Sequence, residues 1–165
     1  SYNEQYNSNL LLDYLSEEEL LGERIVMAND HWVVLVPYWA YWPYETILLP
    51  RRNISSLLEL NQDEKTALAP MLKQLVTIYD KLFGISFPYR MGWHSSCKSQ
   101  QVDMGDMGSI GYIGRTDKGC LLHCHFYPPL LDRVRQKYTA GFEVSAELQR
   151  DITPEQAAQK LKELV

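Results

Sequence analysis

The sequence predicts an α+β domain in which an antiparallel sheet is flanked by helices. Two β-branched runs in "ERIVMANDHWVVLVPYW" meet at Asn29-Asp30, a dipeptide suited to a hairpin turn, and "ETILLP" supplies a third strand ended by Pro50. Helical periodicity appears on either side of this meander and again at the C-terminal end. Two later runs, "FPYRMGWHS" and "GCLLHCHFY", read as further strands.

Taken in order, "SYNEQYNSN" (residues 1–9) is polar and lacks Met, and reads as a linker from a longer chain, so the domain is expected over 10–165. "NLLLDYLSEEELLG" places Leu10, Leu11, Tyr14, Leu15 and Leu20 at near-helical intervals and stops at Gly22. "LNQDEKTALAPMLKQLVTIYDKLFG" gives the strongest helix, with Asn61 as N-cap, Glu64 three residues on and Gly84 at its end. Pro70 lies inside it and should bend it. Residues 97–118 are polar and glycine-rich, which predicts a mobile connection between the two later strands. In "ITPEQAAQKLKELV", Thr153 at the N-cap and Pro154 at the first helical position open a C-terminal helix.

Composition narrows the function. A chain of 165 residues, 45% apolar and 22% charged, suits one globular domain. Its net charge of -5 is scattered and includes no basic block, which disfavours nucleic acid. The three cysteines Cys97, Cys120 and Cys124 have no CxxC spacing, and their odd number fits a reducing cytoplasm better than a disulfide framework. No run approaches the roughly 20 apolar residues of a membrane span. The glycines of "MGDMGSIGYIG" are irregularly spaced with no helix following, so they do not read as a phosphate cradle.

The candidate chemistry sits in "LLHCHFYPPLL". Side chains alternate across a strand, so His123 and His125 share one face and Cys124 takes the other. His94 ends a strand able to pair with theirs, and three converging imidazoles form most of a zinc site or part of an iron site. On periodicity alone, this reading and that of two buried imidazoles satisfied by the backbone stand level. His31, beside the hairpin turn, reads as a plain surface or half-buried residue. Cys124 reads as a buried, inert thiol and not as the nucleophile of a Cys/His pair. The aromatic run "PYWAYWPYE" reads as core in preference to a stacking platform.

In chain order, "HWVVLVPYWAYWPYETILLPRR", "LFGISFPYRMGWH", "HCHFYPPLL" and "GFEVSAELQRDITPEQAAQKL" resemble the C-terminal half of the galactose-1-phosphate uridylyltransferases, from about Leu10 to Leu164. That family is similar to the histidine triad (HIT) proteins. The resemblance implies a HIT-like half-barrel, an antiparallel sheet flanked by helices, in a homodimeric enzyme that exchanges a uridylyl group between glucose 1-phosphate and galactose 1-phosphate. The family's nucleophile is a histidine in a His-Pro-His-Gly-Gln motif of the N-terminal half. This chain has no such motif, so by itself it is expected to be inactive.

Position by position, the resemblance makes His94, His123 and His125 ligands of a zinc or iron ion, with the fourth ligand a glutamate that would precede Ser1. Lys137, Glu143 and Gln149 match residues that reach the hexose and phosphate of the substrate. Their chemistry suits that role: an ammonium for phosphate charge, a carboxylate and an amide for sugar hydroxyls. Phe142 stands where the family usually carries tyrosine, which removes one hydroxyl from the substrate site. The segment between "PPLL" and "GFE" is one residue shorter than the family pattern, and the 97–118 segment is longer and lacks the usual tryptophan. Two other readings are a non-catalytic HIT-like module that binds metal or a nucleotide sugar, and a related dinucleoside-polyphosphate phosphorylase.

Overall fold

A computed structural model describes residues 2–40, 42–84, 86, 89–95, 120–128 and 152–165. Among the described residues five strands form one sheet: β1 (Ile25–Ala28), β2 (Trp32–Leu35), β3 (Thr46–Pro50), β4 (Arg90–His94) and β5 (His123–Tyr127). Their spatial order is β1-β2-β3-β5-β4, and every neighbouring pair is antiparallel. The expected meander is therefore present, and the two later strands extend it with the histidine strand on the inside. The hairpin turns where Asn29 accepts hydrogen bonds through its side chain from the backbone N–H groups of His31 and Trp32, at 2.9 and 2.8 Å. Such an Asx-type bond lets the side chain do the work of a backbone turn.

Among the described residues four helices accompany the sheet: α1 (Tyr2–Tyr6), α2 (Leu10–Leu21), α3 (Gln62–Phe83) and α4 (Pro154–Lys162). Where the sequence reads as a linker, α1 forms a short helix, and the Tyr2 hydroxyl donates to Asp13 of α2 at 2.9 Å. Helix α2 starts on Asn9 and ends on Gly22, whose φ of 67° is the left-handed conformation that a glycine adopts without steric cost. Reciprocal capping boxes open α3 (Asn61 with Glu64) and α4 (Thr153 with Gln156). Helix α3 continues through Pro70 to Phe83. Pro70 and Thr66, whose carbonyl loses its usual donor, are both exposed, so water can take that donor's place.

Alternation along the strands sorts the core onto two faces. Trp32, Val34, Leu48, Leu122, Cys124 and Phe126 face α3 and α4, which contribute Leu75, Ile78, Tyr79, Ala158 and Leu161. Trp32 is fully buried and donates its indole N–H to the Glu64 carbonyl at 2.9 Å, so its ring is packed without an unpaired polar atom. On the opposite face Val33, Leu35, Ile47 and Leu49 pack with Leu15 of α2, joined by Leu11, Leu12 and Tyr14. A buried cation ties the elements together: Arg24 donates to Glu18 at 2.7 Å and to Glu155 of α4 at 2.8 Å. No described helix is long and apolar enough to cross a membrane.

Candidate metal centre

Strand β5 is buried at Cys124 and Phe126 and half-buried at His123, His125 and Tyr127, as two-residue alternation requires. Pairing with β4 sets His94 directly opposite His123 and Gly92 opposite His125. A Cβ at position 92 would lie 3.8 Å from the His94 Nε2, an ordinary van der Waals contact. The His94 and His123 rings stack at 4.8 Å with planes 6° apart, and His125 meets both edge-on at 5.3 Å. One ligand nitrogen from each of the three lies within 4.8 Å of the others. The convergence expected from the H-x-H spacing and the neighbouring strand is thus present.

The electrostatics favour ligation. Burial pushes the His125 imidazole down to about 4, and His123 and His94 push the same way. Burial likewise lowers His123, against the opposing effect of its bond to the Leu121 carbonyl and with a smaller push from His94. Both rings are therefore neutral near pH 7, the form that can offer a lone pair. At 2.7 Å from the Leu121 carbonyl, the Nδ1 of His123 must carry the proton, which leaves Nε2 as the donor. Three imidazole nitrogens suit zinc or iron among the divalent ions. A tetrahedral ion with bonds of about 2.0–2.1 Å needs donors about 3.4 Å apart, so a triangle within 4.8 Å closes by small side-chain movements. The residues fit the ion.

Cys124 is fully buried on the opposite face, and burial pushes its thiol up to about 12, which leaves it neutral and inert as expected. His31 is half-buried at the hairpin turn. The aromatic run divides: Ala40, Trp42 and Tyr44 are core, whereas Tyr38 and Trp39 are exposed. The same run ends in a residue that the sequence reading passed over. Glu45 is 3% exposed, and its Oε1 lies 3.8 Å from the Nδ1 of His125. Burial raises its carboxyl to about 7, against the opposing effect of the Trp42 backbone N–H. The only local signal was a carboxylate inside an apolar run; its partner lies 80 positions further along the chain. Lys137, Phe142, Glu143, Gln149 and Cys97, and the 97–118 segment, lie outside the described residues.

The whole chain, residues 1–165, matches the family described as galactose-1-phosphate uridyl transferase, C-terminal domain. The chain belongs to that family. It is 44% identical over 165 residues to the galactose-1-phosphate uridylyltransferase of Rattus norvegicus, covering 99% of this chain and 41% of the rat protein. It therefore spans about two-fifths of that relative's length. Among solved structures, a uridylyltransferase superimposes with a TM-score of 0.80 at 29% identity, over 99% of this chain and 46% of the other. A zinc-bound histidine triad protein from Mycobacterium smegmatis superimposes with a TM-score of 0.56 at 9% identity, over 95% of this chain and 92% of the other, a likeness of fold alone. The HIT-like α+β architecture expected from the sequence is thus the one found, and the family's C-terminal domain is the part of the transferase present here.

Proposed function

We propose that this domain is the metal-bearing, hexose-binding half of a UDP-glucose:hexose-1-phosphate uridylyltransferase, in which UDP-glucose and galactose 1-phosphate become UDP-galactose and glucose 1-phosphate. Residues 10–165 form the domain and residues 1–9 the connection to an N-terminal half that supplies the nucleophilic histidine. The observation that carries the reading is the meeting of His94, His123 and His125 on one face of β4 and β5, in a chain that matches the family's C-terminal domain throughout. Those three residues hold zinc or iron, with a glutamate from outside this chain as fourth ligand. The ion supplies a cross-link between the two strands.

Lys137, Glu143 and Gln149 contact the sugar phosphate, and Phe142 presents a ring in place of the family's usual hydroxyl. The complete enzyme works as a cytoplasmic homodimer on soluble nucleotide sugars, without nucleic acid or membrane. A coupled assay tests the reading: the full gene product should convert UDP-glucose and galactose 1-phosphate, whereas the 165-residue chain alone should not. Turnover by the 165-residue chain, purified free of any longer enzyme, would overturn the division of labour. Failure of the full product to turn over would overturn the activity itself.

A further inference from the structure

Two buried polar atoms beside the histidine cluster have no hydrogen-bond partner among the described residues: Nδ1 of His125 and Oε2 of Glu45. Leaving such atoms unpaired in a core is costly, more so for an ionisable group. They are neighbours by backbone register as well as by side-chain position. Ile47 lies opposite His125 across the β3–β5 ladder, and Glu45, two residues earlier, projects from the same face. The carboxylate and the imidazole therefore approach diagonally across two paired strands, and 3.8 Å separates Oε1 from Nδ1.

The chain around Glu45 is held from both sides. Tyr44 has a φ of 57°, a left-handed conformation that a bulky residue keeps only when its surroundings enforce it. The fully buried Tyr79 of α3 supplies that enforcement: its hydroxyl donates to the Tyr44 carbonyl at 3.0 Å and meets the Thr46 hydroxyl at 2.8 Å. Glu45 thus sits between two residues fastened to one tyrosine. Trp42 donates its indole N–H to the Pro128 carbonyl, just past the end of β5. The segment is fixed to the histidine strand and to the helix behind it, and a strained backbone with a buried carboxylate at its tip, one of whose oxygens is unpaired among the described residues, is a costly arrangement for packing alone.

We propose that Glu45 is a positioning residue of the metal centre, whose carboxylate holds the His125 proton on Nδ1 and so directs Nε2 toward the ion. The inference rests on the metal-binding reading above. It gives His125 the kind of outer partner that His123 already has in the Leu121 carbonyl. An approach of roughly 1 Å turns the 3.8 Å contact into a charge-assisted hydrogen bond. Glu45 does not ligate the ion, so its loss weakens the site without abolishing it.

The test measures zinc affinity in the full chain by competition with a chromophoric chelator, for wild type, Glu45→Ala and Glu45→Gln. Glu45→Ala should weaken zinc binding about 10–100-fold, and Glu45→Gln, which keeps an acceptor oxygen, should recover part of that loss. Long-range proton–nitrogen-15 correlation, with His125 assigned by its loss in His125→Asn, reads the tautomer directly, a property that a purely structural role would not move. The proton should be on Nδ1 in the wild-type zinc form. A proton on Nε2, or affinities within about twofold across the three proteins, would overturn the inference. Should Glu45→Ala fail to fold, the wild-type tautomer and Glu45→Gln decide it. A wild type that binds no zinc or iron would remove the metal reading and this inference with it; a wild type that binds metal with no regard to Glu45 would remove this inference alone.

Discussion

One face of the sheet is built in two ways along its width. Over β2 and β3 it carries Val33, Leu35, Ile47 and Leu49, all fully buried, with α2 laid on them through Leu15. Over β4 and β5 the same face, on the same hydrogen-bonded ladder, carries three imidazoles in place of hydrocarbon. Ile47 and His125 face one another across the boundary. The first half is complete once the chain folds, because apolar area leaves water whatever else is bound. The second half holds imidazoles, and next to them a carboxylate oxygen and a ring nitrogen with no partners among the described residues. On the proposed metal reading, that half is complete only when a cation unites its donors. Stability and function are thus divided between neighbouring strands.

The sharpest way to break this contrast is to truncate one residue on each side of the boundary. Ile47→Ala should lower the stability of the metal-free chain by about 2–5 kcal/mol in urea melts, as a fully buried aliphatic side chain does on leaving a cavity. Zinc should act on the other half only. At a hundredfold excess over its dissociation constant it should raise wild-type stability by about 2.7 kcal/mol, and His123→Ala or His125→Ala should abolish most of that gain while Ile47→Ala keeps it. Equal zinc stabilisation in wild type and the histidine variants would erase the proposed division.

Acidification sharpens the comparison further. In metal-free protein the His125 pKa is lowered from 6.5 to about 4, so the unfolded chain binds the extra proton and stability falls as pH drops through that window. Glu45 works in the opposite sense: its pKa is raised from 4.5 to about 7, so its contribution is present at low pH and fades as pH rises through that range. Between about pH 4.5 and 6.5 the slopes of Glu45 and His125 oppose, and His123, which burial also lowers, leaves the wild-type profile falling gently on acidification. Glu45→Gln removes one slope and unmasks the other, with a loss of up to about 1.4 kcal/mol for each pH unit of acidification below 6.5. An unchanged profile in the variant would show that the two groups do not titrate as a neighbouring pair. The smallest effect belongs to His94→Ala without metal: this exposed residue ends an edge strand, and its loss should change apo stability by no more than about 0.5 kcal/mol.

The elements with local causes were legible in the sequence. Gly22 and Gly84 mark helix ends, Asn61 and Thr153 mark helix starts, and Asn29 marks the hairpin, because each acts through bonds within a few residues of itself. The pairing of the His94 strand with that of His123 and His125 was expected from the strand pattern, and the register that sets His94 opposite His123 came with the structure. Four features were not legible. The 3-10 turn at Leu57–Glu59 and helix α1 are too short to show a period. The uninterrupted course of α3 past Pro70 depends on which side of the helix meets water. Glu45 acquires its meaning from His125 and Tyr79, both distant in sequence, so no window along the chain could have set it apart from the aromatic core around it.

X-ray absorption at the zinc and iron edges, on the full chain as purified and without added metal, tests the central claim most directly. One ion per chain, with three imidazole nitrogens at about 2.0–2.1 Å for zinc, is the expected result, and one nitrogen should be lost from that shell in His123→Ala. Protein without either metal, or a bound ion whose coordination is the same in wild type and His123→Ala, would contradict it.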